Sequence, residues 1–129
     1  KSRGAKRAVL LPVSAPFHCT LMKPAAERLR GRIGEIELAP PRIPVINNVD
    51  AAAPVDADAI RDALVRQAAS PVRWVETMRA MAAMGVCQVF ECGPGKVLAG
   101  LVKRCADGVG SAAMADLAGV EAALEMTNG

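Results

Sequence analysis

Apolar positions switch between two spacings along the chain. Ala8-Val9-Leu10-Leu11 is a short continuous run that stops at Pro12 and reads as a strand. Met22, Ala25, Leu29 and Ile33 then recur at helical spacing, with Arg28, Arg30 and Arg32 outside the stripe. Ala39-Pro40-Pro41 and Pro44 break this pattern before Val45-Ile46, a second strand. Asp56 or Asp58 can cap a helix whose inner face is Ile60, Leu64, Val65 and Ala68. Ser70-Pro71 opens the next helix, a cap residue followed by proline at the first helical position. Its stripe is Val75, Met78 and Ala82, and Gly85 ends it. Val86 to Phe90 is the third strand, and Gly93-Pro94-Gly95 turns it into a helix with Val97, Leu98, Leu101, Val102 and Cys105 on one face. A weak strand at Ala112 to Ala115 and a helix around Val120 to Glu125 close the chain. Such alternation predicts an α/β fold, with short parallel strands covered by helices.

Composition narrows the picture. With 129 residues, 52% of them hydrophobic, the chain can bury one core, so residues 1–129 are expected to form a single domain. Its only aromatics are Phe17, Phe90 and Trp74, which leaves little to stack on bases, and the net charge is a mild +3; nucleic-acid binding is disfavoured. Lys1, Arg3, Lys6 and Arg7 read as a solvated lead-in. No apolar run approaches the roughly 18 residues of a membrane span and no signal peptide is visible, so a cytoplasmic location without membrane contact is expected. Cys87 and Cys92 are poorly spaced for zinc beside a single histidine, and along a strand they point to opposite faces. With Cys19 and Cys105 they read as small buried hydrophobes; neither a metal nor another cofactor is called for.

That single histidine, His18, follows Val13-Ser14-Ala15-Pro16-Phe17 in a loop stiffened by proline. It is the first candidate for acid–base work near neutral pH, against the plainer reading of a packed or surface histidine without a duty. Cys19 beside it reads as structural, since adjacent side chains rarely aim at one another. Gly93-Pro94-Gly95-Lys96 invites an anion-binding reading, but lacks the length and the Lys-Ser/Thr ending of a phosphate loop, so a tight strand-to-helix turn is favoured.

The segment Ser14-Ala-Pro-Phe-His18-Cys19-x-x-Met22-x-Pro24 resembles the histidine region of malonyl-CoA:acyl carrier protein transacylases. The likeness continues in order through Pro44 to Val49, Ile60 to Gln67, Ser70-Pro71-Val72-Arg73-Trp74 and Glu91 to Leu98, and covers about residues 7 to 105. The resemblance implies the C-terminal portion of an α/β-hydrolase-like acyltransferase large subdomain, with residues 1–12 the lead-in strand from the smaller subdomain. These enzymes attack with a serine in a G-x-S-x-G elbow. Ser2, Ser14, Ser70 and Ser111 all lack that context, so the nucleophile is expected outside this chain and the chain alone is expected to be inactive.

By the same resemblance, His18 is the general acid/base in transferring a malonyl group from coenzyme A to the phosphopantetheine thiol of acyl carrier protein, for fatty acid synthesis. Malonyl-CoA and acyl carrier protein are then the partners. The family orients its histidine with a backbone carbonyl at the position matching Gln67; on sequence grounds Asp50 competes for that role, and Gln67 could be an ordinary solvated helix-end residue. Phe17 matches a position where, in polyketide-synthase acyltransferase domains, Phe accompanies malonyl selectivity. Two other readings stay open: a non-catalytic scaffold or interaction module keeping the family fold, and a fragment of a polyketide-synthase acyltransferase domain.

Overall fold

The computed structural model describes residues 3–10 and 12–128. A single 3-10 turn, Thr20–Met22, leads into α1 (Lys23–Gly34), which carries Pro24 in its first turn, where a missing N–H costs nothing. Helix α2 (Ala57–Ala68) starts from Asp56, whose extended backbone and side chain make the cap; Oδ1 accepts from the Ala59 N–H at 2.8 Å. There follow α3 (Trp74–Ala83), β1 (Gln88–Cys92), α4 (Val97–Val102), β2 (Gly110–Met114) and α5 (Leu117–Asn128). The two strands pair in parallel, Gln88 opposite Gly110 and Cys92 opposite Met114, so α4 is the crossover between them. The fold is α/β.

Burial concentrates in two places. Met78, Val102 and Ala106 form the core under the sheet, joined by Trp74, Met81 and Val89. Separately, α1 packs on α2, where Ala26, Ala63 and Val65 are buried. Arg61 in α2 donates to the Ile36 carbonyl beyond the end of α1, and His18 before α1 meets Gln67 near the end of α2, so these helices run antiparallel.

Several elements differ from expectation. Residues 8–10 form no strand, and no described strand lies beside them to supply a ladder; Leu11 lies outside the described residues. Val45-Ile46 is not a strand either, because the chain is diverted into a turn at Asn47. Helix α3 begins at Trp74 and not at Ser70-Pro71, since residues 70–73 are drawn across to the Asn48 carbonyl, which accepts the Arg73 N–H at 2.9 Å. On α2 the buried pair is Ala63 and Val65, while Leu64 is exposed. Val97 and Leu98 on α4 are also exposed, and only Val102 of that face is fully buried. Cys87 and Cys92 flank and end β1 and are exposed; Cys19 and Cys105 are half-buried.

The turn from Asn47 to Ala52 is built on one buried side chain. Asn47 Oδ1 accepts from the N–H groups of Val49 (3.1 Å) and Asp50 (2.7 Å), and its Nδ2 donates to the Ala52 carbonyl at 2.9 Å. The backbone N–H of Asn47 reaches the same carbonyl, and Ala51 takes a left-handed conformation, φ 54°, to close the loop. Asp50 then grips α2: Arg66 donates two hydrogen bonds of 2.7 Å to its two carboxylate oxygens and a third, from Nε, to Asp62 at 2.5 Å. The two bonds from Arg66 to Asp50, together with the charges of Arg66 and Arg73, hold the Asp50 carboxyl below the ordinary carboxylate range.

At the other end of the chain α5 approaches β2 closely. Asp116 caps the helix by accepting from the Gly119 N–H at 2.9 Å, and a Cβ on Gly119 would stand 2.5 Å from the Ala113 carbonyl oxygen. Gly119→Ala should therefore lower stability by about 1–2 kcal/mol, the crowding outweighing a gain in helix propensity of about 1 kcal/mol. A denaturant midpoint equal to or above that of the parent would show that α5 can move aside freely. A second expectation concerns acid. A carboxyl with a depressed folded-state pKa stabilises fully above its unfolded value, about 3.9, and that contribution is lost as pH falls through the folded value. Asp50→Asn should lower the thermal midpoint at pH 7, and its deficit should shrink below about pH 4. A deficit constant from pH 2 to pH 7 would exclude the ion pair as its source.

Candidate active site

His18 sits in the loop before α1 with its own backbone in the left-handed region, φ 57°. For a residue with a Cβ this conformation is uncommon and costs of order 1–3 kcal/mol, and it clusters at functional sites. The preceding turn is tight: the Phe17 N–H reaches back to the Ala15 carbonyl at 2.9 Å. Cys19 donates its thiol to the Pro16 carbonyl at 3.2 Å and takes no part with the imidazole. The loop thereby points the His18 ring at the end of α2, where Nδ1 lies 3.2 Å from the backbone carbonyl oxygen of Gln67.

A carbonyl can only accept, so this contact places the ring proton on Nδ1 and leaves the Nε2 lone pair free on an exposed ring. In chemical terms that is a base presented to solvent with its tautomer fixed. Among the described residues, no serine, cysteine or carboxylate side chain hydrogen-bonds to His18. Ser111, for one, is committed to the Ala99 carbonyl at 2.8 Å.

The free carbonyl has a local cause. In a helix the carbonyl of residue i takes the N–H of residue i+4, and four residues after Gln67 stands Pro71, which has none. Two turn-type contacts remain on the Gln67 oxygen, from the Ala69 N–H and, at a long 3.5 Å, from the Ser70 N–H. The side chain of Gln67 is anchored as well: its Oε1 accepts from the Asn48 N–H at 2.6 Å in a partly buried position. Asn48 thus uses both main-chain groups, N–H to Gln67 at the end of α2 and carbonyl to Arg73 at the start of α3. Arg73 is further paired with Glu76 through two bonds of 2.9 Å, which hold the Glu76 carboxyl below its usual value.

Of the residues singled out from the sequence, His18 and Gln67 meet directly. Phe17 lies on the same loop and is 59% exposed. Asp50 does not touch the imidazole, because both its oxygens are taken by Arg66. Asn47, Asn48 and Arg66 carry the scaffold of the site and were assigned no role from the sequence. The available signals were the Asn-Asn-Val-Asp turn composition and the proline four residues beyond Gln67. The turn at Gly93, φ 154°, holds no anion-binding arrangement of its own; Glu91 fills the start of α4 by accepting from the Ala99 N–H at 2.9 Å.

No family model matches the chain. Individual relatives do. The malonyl CoA-acyl carrier protein transacylase of Escherichia coli K12 is 50% identical over 126 residues, which is 98% of this chain and 41% of that protein. The crystal structure of an acyl-carrier-protein S-malonyltransferase from Burkholderia pseudomallei superposes with a TM-score of 0.88 at 52% identity, over 96% of this chain and 40% of its own. A malonyl-transacylase solved in complex with a type II polyketide-synthase acyl carrier protein gives a TM-score of 0.90 at 50% identity, over 97% of this chain and 40% of its own. The chain spans about 40% of the length of these relatives. In sequence and in fold the chain is similar to a segment of the malonyl CoA-acyl carrier protein transacylases that makes up about two fifths of their length.

Proposed function

We propose that this chain is the histidine-bearing, C-terminal part of a cytoplasmic malonyl-CoA:acyl carrier protein transacylase of fatty acid synthesis. The single observation that carries the reading is the contact of His18 Nδ1 with the Gln67 carbonyl, which leaves Nε2 as an exposed base. The nucleophilic serine is supplied by a part of the enzyme outside this chain. Nε2 takes the proton from that serine as its oxygen attacks the malonyl thioester, and returns a proton to the departing coenzyme A thiol. In the second half-reaction Nε2 deprotonates the phosphopantetheine thiol of acyl carrier protein, which attacks the seryl ester, and then protonates the released serine oxygen. Throughout, the Gln67 carbonyl accepts from Nδ1–H, keeps the tautomer, and stabilises the imidazolium when it forms.

Exposed surface supports the need for further chain. Among the described residues, Leu10 and Ile43 are 96% and 77% exposed, each strand is paired on one edge only, and the buried Trp74 indole N–H has no acceptor. Beside β1 lies an apolar cavity of about 370 Å³ bordered by Ile46, Trp74 and Leu98. In the complete enzyme these surfaces would be covered by the segment that brings the serine.

In that complete enzyme His18→Ala should cut malonyl transfer by about 10²–10⁴-fold, the range of a lost general base. A near-normal rate would remove the base role and favour a scaffold module. Phe17, beside the base, is the residue expected to limit the acyl pocket. Phe17→Ser should leave malonyl transfer largely intact and raise acceptance of methylmalonyl-CoA, within the roughly 10–200-fold that one apolar contact discriminates. Unchanged selectivity between the two thioesters would take Phe17 out of the pocket.

A further inference from the structure

Gln67 offers two oxygens, and the structure uses both. Its main-chain oxygen faces His18 at 3.2 Å, while its side-chain oxygen holds the Asn48 N–H at 2.6 Å, the shortest tie between α2 and the Asn47–Ala52 turn. The carbonyl lacks the i+4 hydrogen bond that would hold it along the helix, because position 71 is proline. Arg66, one residue earlier, is fixed to the same turn through Asp50. The turn in turn is shaped by Asn47, which is buried with every side-chain group satisfied.

We infer that the Gln67 side chain is a positioning residue for the acid–base histidine: by gripping the Asn48 amide it aims the Gln67 carbonyl at His18 Nδ1. This rests on the reading of His18 as the base. Because the carbonyl belongs to the main chain, it survives every substitution at position 67, so the effect of a variant there reports on the side-chain grip alone. Gln67→Met keeps the length of the side chain and removes the acceptor oxygen, leaving only a weakly accepting thioether; Gln67→Glu keeps an acceptor oxygen at the same reach. Both are to be measured in the complete transacylase with malonyl-CoA and acyl carrier protein, on variants with unchanged circular dichroism, beside His18→Ala. Gln67→Met should lower kcat about 10–100-fold, the scale of a small misplacement of a catalytic group, with the KM for malonyl-CoA within about twofold. Gln67→Glu should recover most of that loss.

Full kcat in Gln67→Met, with His18→Ala inactive, would overturn the positioning role and leave the base intact. A raised KM with unchanged kcat, or equal losses in Met and Glu variants, would also overturn it. An active His18→Ala would instead sink the base reading itself.

Discussion

Asn47 accepts two backbone N–H groups with one oxygen and donates to the carbonyl that closes the same loop, and the rest of the site is assembled on that constraint. With the side chain buried, each of these bonds would cost the full desolvation of a polar group if left unmade, about 1–3 kcal/mol, so the loop has one low-energy shape. That shape presents three grips in a row: the Asn48 N–H for α2, the Asn48 carbonyl for α3, and the Asp50 carboxylate for Arg66. The end of α2 and the start of α3 are thereby tied to one turn. The histidine loop arrives from a third direction, carried by α1 on the flank of α2.

The choice of acceptor for the imidazole is physically instructive. A carboxylate would bind the imidazolium more strongly, yet Asp50, the one that competes for the role on sequence grounds, is saturated by a bidentate arginine and serves the scaffold. Ion pairs this exposed contribute modestly on their own, and their value here is geometric: the planar fork of Arg66 fixes both distance and angle between turn and helix. The backbone carbonyl then does the orienting with a neutral dipole, and the left-handed conformation at His18 is the strain accepted to reach it.

Much of this could be read from the chain beforehand, and the failures share a cause. The helical stripes from Met22 to Ile33 and from Ile60 to Ala68 mark real helices, because their apolar spacing is set by contacts within one or two turns. The strand at Gln88–Cys92 falls two residues later than its apolar run, and Val45-Ile46 does not pair at all, because a strand exists only if an edge is available to it. Burial was overread for Leu64, Val97, Cys87 and Cys92, where no described element covers them. His18 stands out as the only histidine, and the family resemblance puts the Gln67 carbonyl ahead of Asp50, the competitor on sequence grounds, as its partner. What decided the geometry was Pro71 and the Asn48 amide, neither of which carries a reactive side chain. Chemistry that resides in main-chain groups leaves no mark on a search for functional residue types.

An orienting group made of main chain has a consequence for how the site can fail. A carboxylate in the same place could be erased by one nucleotide change, and the imidazole would lose its acceptor in a single step. The Gln67 carbonyl is encoded by no particular codon, so point changes can only tilt or displace it. Inherited damage to this site should therefore be graded, spread over the loop and helix end that hold the oxygen in place, and open to compensation from a second change elsewhere in that frame.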